Sequence, residues 1–116
     1  MGYESKMIIV DKGEGWDEKP YGQIIAEFNL SCIDGFILDE INKAPDTDCY
    51  IYLDGEETTE DRYGYKLKEL TLADAIRIFA DATTRSDYRR YKPFLMLLMG
   101  FDSKQWDNLK ILHYGY

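Results

Sequence analysis

Between Thr71 and Phe101 the apolar positions fall into helical order. Leu72, Ala75, Ile76 and Phe79 stand at i, i+3, i+4 and i+7, which is one helical face, so the spacing predicts a helix over residues 72–82. Thr71 supplies an N-cap hydroxyl, Asp74 lies in the first turn where the helix dipole favours an anion, and Asp81 and Arg85 are four apart on the outer side. The polar run Thr83-Thr84-Arg85-Ser86 predicts a break, after which Ser86 or Asp87 caps a second helical stretch. Proline costs a helix interior about 3 kcal/mol but is welcome at N1, so Pro93 divides this stretch if it opens a helix of its own over residues 93–99. Residues 94–99 are apolar on every side, which predicts full burial, and Gly100 is placed to end the helix.

Elsewhere the period shortens. Residues 6–10 form a β-branched apolar run expected to be a strand, closed by a turn over residues 11–15. Trp16 is expected to cover the end of the core. From Ala26 onward Ala26, Phe28, Leu30 and Cys32 alternate with Glu27, Asn29 and Ser31, the pattern of a half-buried strand. Asp34-Gly35 then turns the chain. Ile37, Leu38 and Ile41 suit a short helix, with a second strand as the alternative, and Ala44-Pro45-Asp46 ends it either way. Residues 49–53 and 63–70 read as the arms of a hairpin whose tip is the acidic run 54–61. Asp102 or Ser103 starts a last helical turn carrying Trp106, and residues 109–114 close the sheet. The expected architecture is a single α+β domain over residues 1–116: a small, mainly antiparallel sheet packed on one side by two to three helices.

Composition changes the picture at one point, the distribution of charge. The chain of 116 residues carries a net charge of −8, but residues 1–61 hold 16 carboxylates against 4 lysines, a balance of −12, whereas residues 62–116 balance at +4. An acidic surface disfavours nucleic-acid phosphates and favours basic partners, above all proteins whose own work is gripping nucleic acid; it also keeps a small protein soluble. The longest apolar run is far short of the roughly 20 residues that cross a bilayer, and no secretory signal opens the sequence. Cys32 and Cys49 have no metal-binding spacing and read as buried free thiols in a reducing compartment, which points to the cytoplasm.

Catalytic equipment is hard to find. His113 is the lone histidine and stands between Leu112 and Tyr114 without a nucleophile elbow or a metal set, so a structural role is expected for it. Gly13 and Gly15 lack the lysine and helix start of a phosphate cradle. Residues 54–61 fail the EF-hand pattern. Arg89, Arg90 and Lys92, interleaved with Tyr88 and Tyr91, are expected to pair with acidic side chains over the aromatic core. No catalytic residue, metal or cofactor is therefore assigned. The expected partner-binding residues are Asp54, Glu56, Glu57, Glu60 and Asp61, supported by Asp39, Glu40, Asp46 and Asp48, which together imitate a phosphate array for the arginines of a nucleic-acid-binding enzyme. A solvated loop tip is the plainer reading of the same run.

The segment Leu72-x-Asp74-Ala75-Ile76-x-x-x-Ala80-Asp81 resembles a helix of the small acidic DNA-mimic antirestriction proteins of phage, over about ten residues. That resemblance implies a non-enzymatic inhibitor, of anti-restriction or anti-CRISPR kind, that blocks a basic nucleic-acid-binding surface without touching nucleic acid or membrane itself. Two alternatives stay open: an immunity or antitoxin protein neutralising a basic toxin, and a small enzyme or ligand binder using Tyr50, Tyr52, Tyr63 and Tyr65 with a carboxylate. A homodimer is compatible with all three.

Overall fold

Met7, Ile8, Ile9 and Val10 are each fully buried, which a pleated strand achieves only when both of its faces are covered. In the computed structural model, which describes residues 4–14, 19–85, 88–101 and 108–116, that run lies in the first of six strands. The order is β1 (Ser5–Glu14), β2 (Pro20–Ser31), α1 (Gly35–Asn42), β3 (Ile51–Leu53), β4 (Glu56–Thr58), β5 (Lys68–Thr71), α2 (Leu72–Arg85), α3 (Tyr88–Met99) and β6 (Leu109–Gly115). Four strands make an antiparallel sheet in the order β2-β1-β6-β5, and β3 and β4 make a separate antiparallel pair. The fold is α+β.

The two faces of the sheet have different covers. Met7, Ile9, Leu70, Leu109 and Ile111 pack with Ile37 and Ile41 of α1, Ala75 and Phe79 of α2, and Tyr91, Phe94 and Leu98 of α3. Ile8, Val10 and Leu112 face the other way, against Cys49, Ile51, Leu53 and Leu67. The helices thus lie on one side, as expected, and the β3–β4 hairpin fills the other. A bulge fits β2 to both layers: Ile9 pairs with Ala26 and Val10 with Ile24, leaving Ile25 as an extra residue. The bulge changes the parity of the strand, so Ala26 and Phe28 pack with the helices while Ile24 packs with the hairpin.

Several boundaries differ from expectation. The turn foreseen at residues 11–15 is strand through Glu14, with Asp11, Lys12 and Gly13 paired to Gln23, Gly22 and Tyr21. Here the ladder to β2 overrides the low strand preference of Asp and Gly. α2 begins as predicted, with the Asp74 N–H donating to Thr71 Oγ1 at 3.1 Å, but it runs through the expected break. The hydroxyls of Thr83 and Thr84 donate to the carbonyls of Ala80 and Asp81, both at 2.8 Å, so they are satisfied within the helix. Pro93 lies inside α3 and opens no second helix. Burial of Tyr91, Phe94, Leu95 and Leu98 on either side of it offsets the lost backbone bond. The full burial expected of residues 94–99 is not found, because a helix laid on a sheet buries one face: Met96 and Met99 are 54 and 58% exposed.

The hairpin is also tighter than the sequence suggested. Asp54 and Gly55 both have positive φ, 51° and 81°, and form a two-residue turn that pairs Leu53 with Glu56, Tyr52 with Glu57 and Ile51 with Thr58. The expected partner strand over residues 63–70 is instead a narrow loop, joined across its neck by Leu67 N–H to Thr59 O at 3.0 Å, followed by the short β5. The capping of α3 by Ser86 or Asp87, the helical turn from Asp102, and the packing of Trp16 and Trp106 lie outside the described residues. Among the described residues no helix is long and apolar enough to cross a membrane.

Candidate functional site

The hairpin is held to the sheet at its base. Gly22 N–H donates to Tyr50 O at 2.8 Å and Tyr50 N–H to Pro20 O at 2.9 Å, while Ile51 and Leu53 turn inward. A Cβ on Gly22 would stand 3.1 Å from both Ile51 Cγ2 and Val10 Cβ, a tight contact that glycine avoids. With the alternate residues of β3 committed to the core, Tyr52 and its cross-strand partner Glu57 point to solvent, and Asp54 and Glu56 are exposed at the turn.

Past β4 the chain makes a second excursion. Asp61 Oδ1 accepts the N–H groups of Tyr63 at 2.8 Å and Tyr65 at 3.1 Å, closing a turn, and Arg62 N–H donates to Gly115 O at 3.2 Å. Tyr63 and Tyr65 are left exposed beside Glu60. The five carboxylates foreseen at one tip are thus distributed over a turn, a strand and the arm of a loop, a path on the order of 20 Å at strand rise.

The carboxylates differ in what already surrounds them. Lys19 Nζ is 4.0 Å from Glu57 Oε1 and lies over the Tyr50 ring at 5.2 Å. Glu40 is bonded to Lys43 at 2.9 Å, with Arg77 at 3.7 Å, and the Lys43 bond draws its pKa down. Asp46 pairs with Lys68 at 2.9 Å. Asp48 pairs with Lys12, whose hydrogen bond likewise lowers the Asp48 pKa. Asp39, Asp54, Glu56 and Glu60 make no ion pair among the described residues, and all four are exposed.

Other candidate chemistry resolves differently. His113 is buried, its Nε2 2.8 Å from Ser5 Oγ, and burial pushes its pKa down to about 4. It lines a cleft of about 560 Å³ together with Leu38, Asp46, Asp61, Tyr65 and Lys68. Of the four tyrosines considered for a pocket, only Tyr65 lines this cleft. Among the described residues Arg90 pairs with no carboxylate: its guanidinium donates to Leu30 O at 3.1 and 2.7 Å and stacks 5.2 Å from the Tyr91 ring centre. Both cysteines are free, but only Cys49 is buried. Cys32 is exposed because β2 ends at Ser31, whose positive φ of 56° breaks the alternation one residue earlier. Among the described residues no group of three His, Cys, Asp or Glu side chains is placed to hold a metal.

Two features were missed from the sequence. Asp54-Gly55 between an apolar strand and further extended residues is a strong hairpin signal that the surrounding acidic run masks. Lys12, read as part of a turn, is the cation that bridges Asp48 and Glu69, the latter at 3.1 Å; nothing local to residue 12 indicates this. No protein family, curated protein or solved structure matches the chain.

Proposed function

We propose that this protein is a non-enzymatic binding module that lays the acidic outer side of its hairpin against a basic surface of another protein, of the kind that grips nucleic acid. The observation that carries this reading is the company kept by the unpaired carboxylates: Asp54, Glu56 and Glu60 share the 50–66 segment with the exposed Tyr52, Tyr63 and Tyr65. Carboxylates take arginine in a bidentate fork, and tyrosine adds contact area and a cation–π face at little rotamer cost. Glu57 and Asp61 belong to the same segment, and Asp39 is exposed on α1. Glu40, Asp46 and Asp48 already hold cations of their own, which cancel much of their field, so they contribute least to this surface. Such a module fits an anti-restriction or anti-CRISPR type of inhibitor; as an immunity protein it would use the same surface on a basic toxin.

The cleft beside Asp61 favours the other class of reading, a small-ligand site built on Tyr65, Asp61 and His113. One experiment separates the two. The wild-type protein and a Glu56→Gln/Glu57→Gln/Glu60→Gln variant are immobilised and exposed to host extract at low salt, then washed with salt or with duplex DNA. Asp61 is kept because its carboxylate closes the Tyr63–Tyr65 turn. The expected result is a nucleic-acid-binding protein retained by the wild type, released by either wash, and bound roughly tenfold or more weakly by the equally stable variant. A small basic toxin in its place selects the immunity reading. Equal retention by the variant, or no retention at all, sinks the acidic-surface proposal.

A further inference from the structure

β2 forms one edge of the four-stranded sheet and, at twelve residues, is about twice the usual length of a strand. Its outer edge is closed at both ends. Tyr50 bonds to Pro20 and Gly22 at one end, and the Arg90 guanidinium covers the Leu30 carbonyl at the other. Between these stops, the backbone of residues 23–29 is hydrogen-bonded among the described residues to β1 alone, so alternate N–H and C=O groups point outward.

Side chains do little to guard this edge. Residues 23–29 contain no proline, lysine or arginine, and their one charge, Glu27, is already paired with Lys6 of β1 at 2.9 Å. The bulge at Ile25 is the only protective device in the stretch, and it leaves Ile25 exposed. Apolar surface remains accessible on both faces beside the edge, from Ala26 and Phe28 on the helix side and Ile24 on the hairpin side.

We infer that residues 23–29 of β2 pair with the same segment of a second copy of the chain, antiparallel about a two-fold axis. Antiparallel pairing lets identical outward backbone groups satisfy one another, which makes the edge complementary to itself. Charge selects the same occupant. A molecule of net charge −8 repels its copy over most of its surface, yet along this line its carboxylate is internally neutralised. A basic partner finds no electrostatic attraction here, in contrast with the hairpin. The axis stands perpendicular to the sheet, so the dimer carries one continuous eight-stranded sheet with both helical layers on one face and both hairpins on the other. Seven residues of edge pairing bury less than a standard interface, so the dimer forms at micromolar concentrations and dissociates on dilution. This inference does not depend on the function proposed above.

Sedimentation equilibrium across the micromolar range tests it, together with amide exchange at low and high concentration. The expected result is a reversible monomer–dimer equilibrium, with exchange of residues 23–29 slowing as concentration rises. Ile25→Glu, at a position already open to solvent, stands opposite Glu27 of the second copy when residues 23–29 pair about Ala26, so it places like charges across the seam twice and is expected to weaken the dimer roughly tenfold without changing the melting temperature. If that variant loses stability, the concentration dependence of exchange in the wild type decides alone. A strict monomer, a dimer indifferent to Ile25→Glu, or protection of residues 23–29 only when a different protein is added overturns the inference.

Discussion

His113 Nε2 lies 2.8 Å from Ser5 Oγ, joining two strands across 108 residues of sequence. Burial holds the folded-state pKa near 4, against an ordinary value of 6.5, with Asp61 opposing the shift. The unfolded chain therefore takes the proton first as pH falls. The stabilising contribution is present above about pH 6.5 and is lost between there and about pH 4, an effect of about 3 kcal/mol. Urea denaturation of the wild type and of His113→Gln across this range should show that slope in the wild type and a much flatter one in the variant. Parallel curves would mean that another group governs acid stability.

Gly22 fixes the distance between the sheet and the hairpin. Gly22→Ala places a methyl 3.1 Å from Ile51 Cγ2 and Val10 Cβ, and the expected loss is about 1–3 kcal/mol in thermal or chemical unfolding. Adding Ile51→Leu, which removes the Cγ2 methyl at nearly constant volume, should restore part of it. A neutral Gly22→Ala would show that the hairpin moves away without cost.

Lys12 is positioned by two carboxylates: burial alone would lower its pKa, but its bonds to Asp48 and Glu69 raise it. Glu69 also accepts the Thr47 hydroxyl at 2.9 Å, and Thr47 in turn accepts the Cys49 N–H at 3.2 Å. Lys12→Met strands the half-buried Glu69 and is expected to cost about 1–3 kcal/mol, less than a deeply buried pair because Asp48 is mostly exposed. The double variant with Glu69→Gln should recover more than half of that loss in a thermodynamic cycle.

Pro93 is exposed within α3 and removes one helical hydrogen bond. Pro93→Ala restores the donor at the cost of a freer unfolded chain, for a net gain of about 1–2 kcal/mol. Denaturant midpoints of the two proteins measure it directly, and an unchanged midpoint would show that the helix absorbs the proline without strain.

The sequence was most informative where burial imposes a period. The unbroken run Met7-Ile8-Ile9-Val10 marks a strand, whose cover on both faces only the fold reveals, and Ala75, Phe79 and the Thr71 cap define α2. It was least informative where partners come from afar. The Asp48–Lys12, Asp46–Lys68 and Glu40–Arg77 pairs bring together residues that are distant in sequence, so the acidity of the first half was visible but its partial neutralisation was not. The uniform apolarity of residues 94–99 misled for a related reason, since composition says nothing about which side of a helix meets a neighbour. Met96 and Met99 show which side does not.

β1 lies between β2, which follows it directly, and β6, whose residues are synthesised about a hundred positions later. During synthesis the fully buried run Met7-Ile8-Ile9-Val10 therefore waits with one ladder unfilled until residues 109–115 leave the ribosome, and loop closure over that span makes its completion slow. A chain cut short before Leu109 would carry a hydrophobic, ladder-ready β1 open to any passing strand, and insolubility is the outcome to be expected of it.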